Sequence, residues 1–159
     1  MGRGMSERTR QPYLHPGDPV EWSWLGAETL VADVREGLRE AEEGLRRIES
    51  LPEEQAGYAT VIEAMESALD PVEDAWSLAS HLDSVRNTPE FRAAYQQILP
   101  EVSAFFAGIS LRPALWKRVQ AAAERERRAL DPVRERDLEE TVRDFREAGA
   151  DLGAEAQER

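Results

Sequence analysis

Two histidines, no cysteine and a surplus of carboxylates are what this 159-residue chain offers for chemistry. A zinc hydrolase lowers the pKa of a metal-bound water and needs a carboxylate to take the proton. Its compact form is H-E-x-x-H on a helix plus a third ligand. His15 and His81 stand too far apart for that motif, and neither has a histidine four residues on. There is no G-x-S-x-G elbow for a serine nucleophile and no glycine-rich phosphate loop. The lack of cysteine removes disulfides, thiolate ligands and thiol nucleophiles. The pairs Glu42–Glu43, Glu53–Glu54 and Glu139–Glu140 remain as acid–base candidates, but neighbours on a helix do not face each other. They read as solvated helix surface. His81, between Ser80 and Leu82, is expected to be a hydrogen-bonded, partly buried histidine, and His15 a loop residue. No catalytic or metal-ligating residue is assigned, and no cofactor is expected in this chain.

Charge narrows the partners. Twenty basic residues against 32 acidic ones give a net charge of −12, which argues against nucleic acid. The stretch from Glu21 to Asp74 holds 15 acids and 4 bases. From Arg112 to Arg136 the balance reverses to 8 bases and 4 acids, interleaved as on a solvated helix face. No run of 18 apolar residues is present to span a membrane, and Met1 to Arg10 lacks an apolar signal region. Met1-Gly2 with Ser6 fits a myristoylation pattern, but one acyl chain anchors only marginally. The chain is expected to be cytoplasmic.

The elements that must position these groups are helical. Leu30, Val34, Leu38, Ala41, Leu45 and Ile48 recur at spacings of three and four, predicting a helix from Ala27 to Glu49 that ends before Leu51-Pro52. Gly37 and Gly44, on one side of it, suggest close approach of another helix. A second stripe runs through Tyr58, Val61, Ile62, Met65 and Leu69. After Asp70-Pro71, either a new helix begins or a long one kinks, and Val72, Ala75, Trp76, Ala79, Leu82 and Val85 continue the spacing. Thr88-Pro89-Glu90 is a helix start, followed by Phe91, Tyr95, Ile98, Val102, Phe105 or Phe106, and Ile109, with a kink expected at Pro100. Leu115, Trp116, Val119 and Ala123 mark a helix from Pro113 to Arg128. Asp131-Pro132 opens another, carrying Leu138, Val142 and Phe145 and ending near Gly149.

No period-two alternation is long enough for a strand. The expected fold class is all-α, an antiparallel bundle of about five to six helices, some kinked at proline. Trp22 and Trp24, ahead of the first helix, either form an aromatic contact surface or, more ordinarily, tuck over the bundle as a cap.

Trp76 to Val85, reading W-S-L-A-S-H-L-D-S-V, is followed by Thr88-Pro89-Glu90-Phe91-Arg92-Ala93-Ala94-Tyr95, then Leu99-Pro100 and Phe105. Arg143-Asp144-Phe145-Arg146-Glu147-Ala148-Gly149 comes later. The series resembles the N-terminal helical region of the thimet oligopeptidase and oligopeptidase A family of zinc metallopeptidases, over about residues 58 to 153. Asp83 stands where that family usually has Asn, and Glu147-Ala148 where it has Leu-Ser. The resemblance implies one part of a large helical clamshell whose channel admits short peptides. It places the zinc, its ligands and the catalytic groups later in the chain. Trp76, Ser80, His81, Tyr95, Pro100 and Phe145 are then structural positions.

The expected organisation is an N-terminal arm over 1–26, partly flexible, a helical domain over 27–150, and the start of a truncated further helix over 151–159. The expected function is the non-catalytic N-terminal segment of a zinc oligopeptidase, lining half of the substrate channel and inactive alone. Its partner would be the missing catalytic domain, in the same protein or a companion chain, with short peptides as substrates of the whole enzyme. The alternative is a free-standing acidic helical module that binds a basic protein or peptide.

Overall fold

The structure, a computed structural model, describes residues 11–86, 88–126 and 129–152. The myristoylation pattern at Met1-Gly2, the expected helix end at Arg128 and all but the first two residues of the helix expected over 151–159 lie outside these residues; Asp151 and Leu152 form a turn. Five α-helices account for most of the described chain, and no strand occurs among the described residues. They are α1 (Ala27–Glu49), α2 (Ala64–Val85), α3 (Pro89–Ile109), α4 (Pro113–Glu126) and α5 (Pro132–Glu147). Single 3₁₀ turns occur at Trp22–Trp24 and Glu53–Gln55, and a π-helical turn at Tyr58–Glu63 leads into α2. The all-α expectation holds.

Local chemistry sets the helix ends. The Thr88 hydroxyl accepts the Phe91 N–H at 3.2 Å, capping α3. Asp131 accepts the N–H groups of Val133 and Arg134 at 3.0 and 3.2 Å, with Pro132 at the first helical position of α5. Gly149, at φ +96°, supplies the left-handed residue that ends α5. Pro71 does not start a new helix. It lies inside α2, where the residues after it, Val72, Ala75, Ala79 and Leu82, are buried. Losing one backbone hydrogen bond costs less than abandoning that buried face. Pro100 likewise lies inside α3.

The chain forms two compact units. The first contains the chain up to Ala41 with Leu69–Ser103, and the second contains Glu42–Ala68 with the chain from Ala104 onward. In the first, the core includes Tyr13, Leu25, Leu30, Val34, Val72, Ala75, Phe91 and Ile98. In the second it includes Leu45, Val61, Ile62, Leu115, Val119, Leu138 and Phe145. The α1 glycines have the expected role in each. A Cβ on Gly37 would stand 3.2 Å from Val72 Cβ and 3.0 Å from Leu14 Cδ2, and one on Gly44 would stand 2.5 Å from Ala68 Cβ.

Three expectations are corrected. Val85 is 64% exposed, because the last turn of α2 runs past the core that its stripe serves. His81 is exposed, not partly buried, and its ring packs against Trp22 at 5.5 Å. Trp22 and Trp24 do not disappear under the bundle. They remain 46% and 39% exposed, while Leu25 next to them takes the buried place at 1%.

Candidate functional site

The motif residues of α2 and α3 meet in the first unit. Trp76 and Tyr95 stack with ring centroids 4.6 Å apart and planes 13° apart. The Ser80 and Tyr95 hydroxyls are 3.2 Å apart, within hydrogen-bond distance. Ser80 lies one turn beyond Trp76, so both face Tyr95 from one side of α2. The Ser80 hydroxyl is therefore engaged with a phenol, and His81 is turned to Trp22. This is a packed polar–aromatic contact, with none of the nucleophile–base geometry of an acyl-transfer site. Pro100 is exposed on α3, and Phe145 lies in the other unit.

The first unit also holds the most unusual carboxylate. Asp33 is 2% exposed and is the sole buried charged residue among those described. It accepts the Tyr13 N–H at 3.0 Å, while the Tyr13 hydroxyl donates to the Gly26 carbonyl at 3.0 Å. Burial raises the Asp33 pKa to about 6, against the lowering effects of the Tyr13 N–H and His15. Burial, then the nearby carboxylates of Asp33 and Glu28, also pushes the Tyr13 phenol well above its ordinary value.

In the second unit, Arg112 joins two carboxylates of α1. It donates to Glu49 at 2.5 and 3.0 Å and to Glu42 at 2.7 and 3.2 Å. Glu42 also accepts from Arg46 at 2.9 Å. The Arg112 hydrogen bond holds the Glu42 carboxyl below its usual range, and Glu49 leads the causes that hold Arg112 above its own. The connection between α3 and α4 is thus tied to α1 at a partly buried, charge-assisted centre.

The π-helical turn is capped from a distance. Glu126, at the end of α4, accepts the Tyr58 N–H at 2.7 Å. The Tyr58 hydroxyl donates to Asp137 at 2.9 Å, and burial, followed by that bond, raises the phenol to about 12. The Arg134 guanidinium lies 5.6 Å from the Tyr58 ring centroid and 3.2 Å from Glu63. Phe145 stacks on Trp116 at 5.7 Å, and the Trp116 indole donates to Asp151 at 3.1 Å. A groove of about 440 Å³ lies between α4 and α5, lined by Ala123, Leu138 and Val142 and by Glu124, Arg125, Glu139 and Arg146.

Of the acidic pairs weighed as acid–base couples, Glu42 serves Arg112 and Arg46, and Glu140 accepts from Arg136 at 2.9 Å. Among the described residues no group of three or more His, Asp or Glu side chains is arranged to hold a metal ion. The described residues do not fit a zinc site. No single helix among the described residues is long and apolar enough to cross a membrane.

Sequence reasoning missed Asp33, Glu126 and Arg112. Their partners lie 20, 68 and 63 to 70 residues away, beyond any local pattern.

Residues 27–157 match the family described as Neurolysin/Thimet oligopeptidase, N-terminal domain, and the chain belongs to that family. It is similar to oligopeptidase A of Escherichia coli (strain K12), with 28% identity over 153 residues, covering 93% of this chain and 22% of that relative. It is 33% identical over 91 residues to oligopeptidase A of Haemophilus influenzae, covering 57% of this chain and 13% of the relative. A protein named probable cytosolic oligopeptidase A, from Arabidopsis thaliana, is 28% identical over 94 residues, covering 59% of this chain and 13% of its own length. The chain thus spans less than a quarter of each of these relatives.

Proposed function

We propose that this chain is the non-catalytic N-terminal helical segment of a zinc metallo-oligopeptidase that degrades short peptides in the cytoplasm. The family match over residues 27–157 carries this reading. Residues 27–150 form the helical domain, which lines one half of the substrate channel of a larger helical clamshell. The zinc and the groups that move protons belong to sequence corresponding to the rest of the relatives, in the same protein or in a companion chain. The cytoplasmic setting is supported by the name of the Arabidopsis relative. Trp76, Ser80, His81, Tyr95, Pro100 and Phe145 are structural positions in this wall. A channel wall must hold its shape while peptides pass, and the Trp76–Tyr95 stack fixes α2 to α3 while the Arg112 centre fixes the connection before α4 to α1.

The test is the intact mass of the native product in its source cells, detected with an antibody to this segment. A species several times heavier than 17.9 kDa is expected. A species at 17.9 kDa that co-purifies with no catalytic chain would contradict the reading.

The exposure of Trp22 and Trp24 favours a second reading, an acidic module that binds a basic peptide. Salt-sensitive binding of an arginine-rich peptide, lost in Trp22→Ala, would support it.

A further inference from the structure

The segment 11–26 is held on α1 by a small set of contacts centred on one carboxylate. Tyr13 is fully buried, and its hydroxyl closes back on the Gly26 carbonyl at 3.0 Å. Leu14 occupies the notch that Gly37 leaves on α1, reaching 3.0 Å from the place of a Cβ. Between these, the Tyr13 N–H donates to Asp33 at 3.0 Å.

An ionised carboxylate has about four lone-pair sites, and burial is costly unless they are used or a cation is near. Asp33 receives this one backbone donor and forms no ion pair among the described residues. Thr29, one turn earlier on the same helix, does not supply a second donor, since its buried hydroxyl has no hydrogen-bond partner. We infer that the Tyr13–Asp33 contact is a pH-operated clasp: the 11–26 segment docks on α1 when the Asp33 carboxyl is protonated and loosens as it ionises.

The surrounding charges agree with that direction. His15 on the arm acts on Asp33 electrostatically and opposes the effect of burial, which nevertheless dominates and raises the carboxyl to about 6. Glu28 on α1 and Arg86 after α2 act on the Tyr13 hydroxyl. A carboxyl raised in the docked state favours docking fully below its ordinary value, and that preference is lost as pH rises through about 6. Two pKa units correspond to roughly a hundredfold change in the docking equilibrium.

The experiment is amide hydrogen exchange at Tyr13 in the 159-residue chain, corrected for the intrinsic rate, from about pH 3.5 to 7.5. Protection at Tyr13 is expected to be lower than at Leu45 throughout, to fall by up to about a hundredfold between about pH 4 and 6, and to level off above. Asp33→Asn keeps an oxygen for the Tyr13 N–H but cannot ionise, and should flatten the profile. His15→Gln should leave the fall in place. Wild-type protection that does not change between about pH 4 and 6 would overturn the clasp. So would an equal fall in Asp33→Asn, loss of the fall in His15→Gln, or Tyr13 protection equal to Leu45, which would mean the arm leaves only on global unfolding.

Discussion

Tyr95 lies flat on Trp76, 4.6 Å between ring centroids, while its hydroxyl reaches Ser80. The two stretches that carry the family resemblance on α2 and α3 are thus one contact in space. The stack and the hydrogen bond can be separated by substitution. Tyr95→Phe keeps the ring and should cost about 1 kcal/mol, the net value of one hydrogen bond. Tyr95→Ala removes the stack as well and should cost roughly 2–3 kcal/mol, since the side chain is only partly buried. Denaturant unfolding of both variants checks the order.

One substitution, made at two glycines, should have opposite signs. Alanine at Gly44 puts a methyl group 2.5 Å from Ala68 Cβ, forcing α1 and α2 apart there. Overpacking of about 1–3 kcal/mol outweighs a helix-propensity gain of about 1 kcal/mol, so Gly44→Ala should destabilise. Gly108, near the end of α3, has nothing within 4 Å of its would-be Cβ. Gly108→Ala should stabilise by about 0.5 kcal/mol. Paired melting curves decide this.

Arg112 is the centre on which Glu42 and Glu49 converge. Arg112→Ala leaves two partly buried carboxylates close together and should cost about 2–3 kcal/mol. The exposed pair Arg136–Glu140 offers a comparison, and Arg136→Ala should leave stability almost unchanged, since water screens the pair. Equal losses in the two variants would show that the Arg112 cluster has no special weight.

Two carboxylates should give opposite pH dependences. Glu42 is held below its usual value by Arg112, so its contribution is present above about pH 4.5 and is lost as pH falls through the lowered value. Asp33, raised to about 6, behaves in reverse, and its ionisation costs stability between about pH 4 and 6. Asp33→Asn should therefore gain on the wild type as pH rises, by up to roughly 3 kcal/mol at pH 7. Glu42→Gln should lose its deficit below pH 4. Urea unfolding at several pH values measures both.

The helices were legible where local chemistry repeats. The α1 stripe ends at Leu51-Pro52, and Thr88, Asp131 and Gly149 mark ends through groups within three residues of the backbone they satisfy. What was not legible depends on distant chain. The π turn at Tyr58 is capped by Glu126, and Asp33 is buried by Tyr13, which comes from a turn without periodicity. The spacing that places Leu82 in the core also names Val85, yet the helix outlasts its neighbours there and Val85 is exposed. His81 is exposed for another reason: it lies beside Leu82 but off the face that Val72, Ala75, Ala79 and Leu82 bury. Periodicity identifies a helical face but not how far along it the core extends.

As proposed above, this chain contributes structure, not chemistry, to a zinc oligopeptidase. The most direct measurement is cleavage of a fluorogenic short peptide by the purified 159-residue chain, with and without added zinc. The expected result is no turnover above the blank under either condition, with the helical fold intact by circular dichroism. Zinc-dependent turnover that a chelator abolishes and zinc restores would contradict the account.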